Sequence, residues 1–241
     1  MHTVKNYTKP TYKIVGRYLS EIGKYLGQGK PITEALRGFP AYYLYCRNYK
    51  FPNEAELPWI NHFAYKKLES LLKPDMNVLE FGSGGSTMFL KNKVKSIYSI
   101  EHDGEWFKEV VKNAGAHPGL TLNLHIPEKE NNQDFPDLYK SVNGMYCDGF
   151  TFQNYAHAAD HLPDGSIDLL IIDGRVRPAC LIQTISKLKS GGILLFDNTE
   201  RNSYQPFLEK YLKGWKSEKY QGVTVCHAFF SETSIYWKPS E

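Results

Sequence analysis

The sequence predicts a doubly wound α/β domain, with a mostly parallel seven-stranded sheet, helices on both faces and a helical cap at the amino end. Three observations carry that expectation. From Pro58 onward, short apolar runs alternate with stretches of helical period. The run IDLLIID is apolar almost throughout, as in a strand buried on both faces. The strand NVLEFG opens directly into a glycine-rich turn and a helix.

Composition sets the outer bounds. At 241 residues, 41% hydrophobic and 23% charged, the chain is long and apolar enough to bury a core. Its 29 Lys and Arg against 26 Asp and Glu leave a net charge of +3, too weak a field to draw in a polyanion, so nucleic acid is not an expected partner. Lys91, Lys93 and Lys95 read as a solvated strand edge. The four cysteines, Cys46, Cys147, Cys180 and Cys226, form neither a CxxC pair nor a zinc spacing and suit a reducing interior. The amino-terminal MHTVKNYTKPTYKIVGRYL lacks a signal peptide's apolar run, and no stretch approaches the roughly 18 apolar residues of a membrane span. The expectation is a cytoplasmic protein.

Residues 1–57 read as a Tyr-rich cap with helical fragments such as Tyr18 to Leu26 and the aromatic burst AYYLYCRNYKF, and residues 58–241 as the main domain. In WINHFAYKKLESLL, Ile60, Phe63, Ala64, Leu68, Leu71 and Leu72 fall near helical spacing, and Pro74 ends the helix. The first strand spans Asn77 to Gly82. A helix over about Ser86 to Asn92 follows, then SIYSIEHD as second strand, a helix carrying Phe107, Val110, Val111 and Ala114 on one side, and TLNLHI as third strand.

Pro127 to Phe150 is polar and turn-prone, a binding lid or a flexible excursion. A helix near Phe152 to Asp160 precedes IDLLIID, and a helix carrying Leu181, Ile185 and Leu188 leads to GGILLFDN. A short helix around Tyr204 to Leu212 and strands over Val223 to Phe230 and Thr233 to Trp237 complete the chain, the last two as an antiparallel hairpin at the sheet edge.

Chemistry concentrates at the ends of these strands. In VLEFGSGGSTMFL an apolar strand ends at Glu80 and Phe81 and runs into Gly82, Ser83, Gly84, Gly85, Ser86 and Thr87. In open α/β sheets ligands lie outside the carboxyl ends of the strands, where such a turn offers backbone donors. About twenty residues on, Glu101 ends the second strand, where an acid can accept hydrogen bonds from a ribose diol. A nucleoside cofactor over Gly82 to Ser86 fits that spacing; glycines serving a tight turn that binds nothing are the alternative.

Glu80-x-Gly82-x-Gly84-x-Ser86 after the first strand, Glu101 at the second and IDLLIIDG at the fourth resemble class I, Rossmann-like S-adenosylmethionine-dependent methyltransferases over roughly Pro58 to Lys238. GSGGST departs from the G-x-G-x-x-G of nicotinamide dehydrogenases. The resemblance implies that Glu80 and the Gly82 to Gly85 backbone cradle the methionine portion, with Ser86 and Thr87 beside it, Glu101 on the ribose and His102 or Asp103 near the adenosine. Met145 to Phe150 is a candidate for the adenine contact. DGRVRPACL, FDNTERNSY and ETSIYW resemble poorly characterised bacterial and viral members tied to glycan modification. The implied reaction is O-methylation of a saccharide or small polyol hydroxyl. A silent S-adenosylmethionine-binding module and an aminopropyl-transferring enzyme of the same fold are the rival readings.

Asp173, Asp197 and Asn198 end their strands on the same rim as Gly82. They are similar to the Mg²⁺ site of catechol-type O-methyltransferases, so Mg²⁺ or Mn²⁺ is a candidate cofactor. The metal-free reading makes Asp173 a general base or cofactor anchor. Arg175 and Arg177 could pair with Asp173 or grip an anionic group. His157 and His161 would share a helix face, His157 as base or metal ligand, or both as surface residues. Tyr42, Tyr43, Tyr45 and Tyr49 could stack on a sugar, pack the cap onto the core or make a dimer contact.

Overall fold

The structure, a computed structural model, describes residues 10–30, 32–48, 50, 52–130, 136–141 and 149–240. Where the sequence suggested helical fragments, two full helices stand, α1 (Thr11–Gly27) and α2 (Ile32–Arg47). Ile14, Tyr18, Glu21 and Tyr25 make the buried face of α1, the spacing of an amphipathic helix. Ile14 and Tyr18 meet Tyr42 and Cys46 of α2 and Val223, and the Tyr18 and Tyr42 rings lie 4.6 Å apart. The short α3 (Pro52–Ala55) leads to α4 (His62–Leu71), whose first turn is capped by Asn61 Oδ1 accepting from the Phe63 and Ala64 amides at 2.9 and 3.3 Å.

The alternating section follows in the expected order. It runs β1 (Asn77–Phe81), α5 (Gly85–Leu90), β2 (Ser96–Glu101), α6 (Gly104–Ala114) and β3 (Leu120–Leu124). A small antiparallel pair, β4 (Glu128–Lys129) and β5 (Phe150–Thr151), lies in the polar excursion and is followed by α7 (Gln153–Ala156). Then come β6 (Ile167–Ile172), α8 (Arg177–Thr184), β7 (Leu188–Asp197), α9 (Gln205–Tyr211), β8 (Lys216–Val223) and β9 (Phe230–Trp237). Seven strands form the main sheet in the order β3-β2-β1-β6-β7-β9-β8, parallel except for β9, which runs against both its neighbours.

Strand periodicity divides the core in two. Leu79, Phe81, Leu170, Ile172, Leu194 and Phe196 point to one face, where Tyr155, Ala179, Leu181 and Leu208 cover them. Val78, Leu169, Ile171, Ile193 and Leu195 point to the other, under Ala64 and Leu68 of α4 and Phe89 and Leu90 of α5. Both faces of β1, β6 and β7 are therefore dry, which is why these strands read as continuous apolar runs. From β1 the chain winds outward to β2 and β3, then crosses back to β6 on the opposite side of β1. This reversal opens a crevice at the carboxyl ends of β1 and β6.

Two expectations are corrected. The helix over Phe152 to Asp160 stops at Ala156, and the chain continues in turns closed by Asp160 N–H to His157 O and Leu162 N–H to Ala159 O, both 3.0 Å. His157 and His161 therefore share no helix face. The late hairpin pairs β8 with β9, so its first strand lies before Val223 rather than after it. Lys216, Glu218 and Lys219 give β8 a charged pattern that hid it in the sequence, and such residues protect an exposed sheet edge. Cys226, at φ +53°, turns the chain where a strand was expected. Among the described residues no helix is long and apolar enough to cross a membrane.

Candidate active site

A cavity of about 970 Å³ opens over the carboxyl ends of the parallel strands. Its floor is the turn after β1. Gly82 adopts φ +96°, and a Cβ there would come within 3.0 Å of the Asp173 and Gly174 backbone after β6. Gly85 has a different reason to be glycine: a Cβ would run into the carbonyls of Pro52 and Leu57. That glycine admits the segment ahead of α4, not a ligand. Gly85→Ala is accordingly expected to cost about 1–3 kcal/mol by forcing backbone apart, read as a lower thermal midpoint.

Glu101 is 2% exposed and ties the site together. Its Oε2 accepts the Ser83 amide at 3.0 Å, and its Oε1 accepts the His102 and Asp103 amides at 2.8 and 2.9 Å. A carboxylate offers about four lone-pair directions; three are taken by these amides, and His102 Nδ1 also lies 2.8 Å from Oε1, so fewer are left than a diol held at both hydroxyls would use. Trp106 Nε1 donates to Ser83 O at 2.7 Å, and Arg175 Nε donates to His102 Nε2 at 3.4 Å. Glu101, His102, Asp103, Asp173 and residues 82–86 all line the cavity.

Glu80 and Thr87 do not. Glu80 is fully buried behind the turn, its Oε2 accepting from Thr87 Oγ1 and Ser99 Oγ, both at 2.5 Å. Thr87 Oγ1 in turn accepts the Gly84 amide at 2.9 Å. Burial pushes the Glu80 carboxyl upward. These two residues brace the turn from beneath and make no contact with the cavity, contrary to the expected ligand role.

The rim beyond β6 and β7 departs furthest from expectation. Asp173 and Asp197 are joined by Arg177, itself 6% exposed. Its Nη2 donates to Asp173 Oδ1 at 2.9 Å and its Nη1 to Asp197 Oδ2 at 3.3 Å, while further bonds reach the carbonyls of Asp173, Gly174 and Asp197. Asp197 Oδ1 also accepts from Thr233 Oγ1 at 2.5 Å, and Asn198 Oδ1 from Arg201 Nη2 at 2.5 Å. The oxygens expected to hold Mg²⁺ or Mn²⁺ thus already serve two guanidinium groups, so these residues as placed do not fit a metal centre. Among the described residues no group of three or more His, Cys, Asp and Glu could hold one. Burial, then the Asp197 carboxylate, raise the Asp173 carboxyl well above its ordinary range despite Arg177.

Val176 and Asn198, which also line the cavity, hold positive φ of +40° and +56°. Such backbone costs roughly 1–3 kcal/mol each and gathers where structure serves a site. His157 stands elsewhere, with Nε2 3.1 Å from the Tyr139 hydroxyl and Nδ1 2.7 Å from Asp160 Oδ2, and does not reach this cavity. The tyrosine burst also lies off the site. Tyr42 is buried with its hydroxyl donating to Ala228 O at 3.3 Å, Tyr45 bonds His62 at 2.8 Å and Tyr43 accepts from Arg47 at 2.7 Å, while Tyr49 falls outside the described residues. So do residues 145–148 of the suggested adenine segment. Trp59, His227, Phe229 and Glu200, which no spacing singled out, do line the cavity.

No protein-family model matches the sequence, and a search of curated proteins finds no match. Solved structures do match. A Klebsiella pneumoniae protein provisionally described as an O-methyltransferase superposes at TM-score 0.53 and 16% identity, covering 78% of this chain and 87% of its own. The O-methyltransferase TomG of Streptomyces achromogenes, involved in tomaymycin synthesis and solved with S-adenosylmethionine, gives 0.49 at 11% identity over 69% of this chain and 74% of its own. The tRNA (m1A58) methyltransferase TrmI of Aquifex aeolicus gives 0.46 at 14% identity over 80% and 77%. At these identities the likeness is one of fold, carried by the first of the three. The architecture is the Rossmann-like methyltransferase fold, a mostly parallel seven-stranded sheet with helices on both faces.

Proposed function

We propose that the chain is an S-adenosylmethionine-dependent methyltransferase acting on a hydroxyl of a saccharide or other small polyol. The observation that supports it best is the meeting of three groups on one cavity wall: the Gly82 to Ser86 turn, Glu101 and the raised carboxyl of Asp173. The residues suit an adenosyl group, because a carboxylate at the end of the second strand stands beside a glycine-rich turn on the same cavity. When bound, S-adenosylmethionine supplies an activated sulfonium methyl.

The chain's residues then have two tasks, holding the acceptor in line and taking its proton. Asp173 takes the second, since a carboxyl raised above its ordinary range is a stronger base than an unshifted one. Arg177 holds that carboxyl at 2.9 Å and so sets its direction. The net charge of +3 favours a small acceptor over nucleic acid.

Titration calorimetry with S-adenosylmethionine and S-adenosylhomocysteine tests the reading. Both are expected to bind, and Glu101→Ala to weaken each about ten-fold or more, the loss of a charge-assisted hydrogen bond. Absence of binding by the folded wild type overturns the proposal. Binding without methyl transfer to any hydroxyl acceptor would favour a silent module.

A further inference from the structure

A second stretch of the cavity wall is aromatic. Trp59 precedes α4, and His227 and Phe229 lie in the connection from β8 to β9. The Trp59 and His227 rings are 5.2 Å apart at 49°, and those of His227 and Phe229 4.8 Å apart at 40°. Trp59 is nonetheless 50% exposed and Phe229 44%, although both line the cavity. Apolar surface left in water serves no folding purpose, and a row of three tilted rings offers the flat area that ligands cover.

The row is held in place. The Arg17 guanidinium of α1 sits 4.5 Å from the centroid of Phe229, and the Phe229 amide donates to His227 Nδ1 at 3.2 Å. The amino-terminal helices thereby reach the site by supporting its wall, not through their tyrosines. Polar groups stand beside the rings on the same cavity. Glu200 Oε2 accepts the Glu232 amide at 3.2 Å, the Ser231 and Thr224 hydroxyls pair at 2.8 Å, and Arg201 and Ser203 also line the cavity.

We infer that Trp59, His227 and Phe229 form an acceptor platform that takes a neutral pyranoside. A pyranose ring presents a flat C–H face with hydroxyls around its edge, and this wall offers both counterparts. A phenolic ring would leave the polar side unused, Glu200 disfavours an anionic acceptor, and Arg201 disfavours a cationic one. The platform deepens the methyltransferase reading and rests on it for its role in turnover, but sugar binding itself does not require that reading.

The test uses saturation-transfer NMR and calorimetry on the full chain, with methyl glycosides of neutral hexoses and deoxyhexoses, alone and with S-adenosylhomocysteine. At least one glycoside is expected to bind through one ring face. Trp59→Ala and Phe229→Ala should each weaken it about five- to ten-fold, and Trp59→Phe should restore most of the affinity. Thermal midpoints and S-adenosylhomocysteine affinity should stay close to wild type in all three. No binding across the panel, or glycoside affinity unmoved by both alanine variants, overturns the platform. Glycoside binding that responds to these variants while S-adenosylhomocysteine fails to bind upholds the platform and overturns the cofactor reading.

Discussion

Arg177→Met is expected to destabilise the chain by about 3–5 kcal/mol, because it strands the buried Asp197 carboxylate and the partly buried Asp173 carboxylate without the cation between them. The guanidinium joins Asp173 and Asp197 and also serves three backbone carbonyls, at Asp173, Gly174 and Asp197. A methionine fills the volume and satisfies none of them. The shift is read as a fall in the urea midpoint at pH 7. Without the guanidinium that lowers it, the Asp173 carboxyl rises further above its unfolded value of about 3.9. A raised group contributes its full stability below the unfolded pKa and loses it as pH rises through the folded one. The gap between wild type and variant should therefore be widest near neutrality and narrow toward about pH 4. Adding Asp173→Asn and Asp197→Asn should recover much of the loss, since removing a whole buried ion set costs far less than removing one member. A midpoint unchanged by Arg177→Met at pH 7 would show that the carboxylates do not depend on it.

Asp173→Asn is expected to lower kcat about 10²- to 10⁴-fold, the usual worth of a positioned base, while S-adenosylhomocysteine affinity changes little. Burial first, and the Asp197 carboxylate second, raise this carboxyl. The wild-type rate should therefore climb with pH through a window above the ordinary Asp value of about 3.9, and that limb should vanish in the variant. Stability runs the other way over the same window. The raised pKa contributes stability that is complete below the unfolded value and is lost as Asp173 ionises in the fold. Rate rising while stability falls, with both trends removed by one amide, is the signature of a buried base. A variant that alters the stability profile and leaves kcat in place would reduce Asp173 to a structural partner of Arg177.

The two carboxylates show how far sequence reading reaches. Asp173 and Asp197 were recognisable as strand ends on one rim because IDLLIID and GILLFDN are apolar runs that stop abruptly at an acid. Pairing of Arg177 with Asp173 was readable too, as the two are only four residues apart. The bond to Asp197 was not: twenty residues separate it from Arg177, and their meeting follows from the pairing of β6 with β7. A metal centre was inferred from three oxygen-bearing side chains whose actual partners lay out of view. Glu80 and Thr87 belonged to the right turn, yet whether a side chain on a turn points toward the cavity or beneath the turn is a matter of packing. The platform left no trace in the sequence, because Trp59 and His227 meet only when α4 and the β8 to β9 connection fold against the same side of the sheet.

Hydrophobic period, glycine placement and strand-end acids alone determined the layered α/β order, the turn after β1, and Glu101 as its partner across β2. These are local properties, set by backbone sterics and by which side chains must leave water. Tertiary structure alone decided which acids pair with arginine, which glycine makes room for protein rather than ligand, and which aromatics wall the cavity. Each of those depends on contacts between segments far apart in the chain, whose proximity is set by the strand order of the sheet and not by any spacing along the sequence.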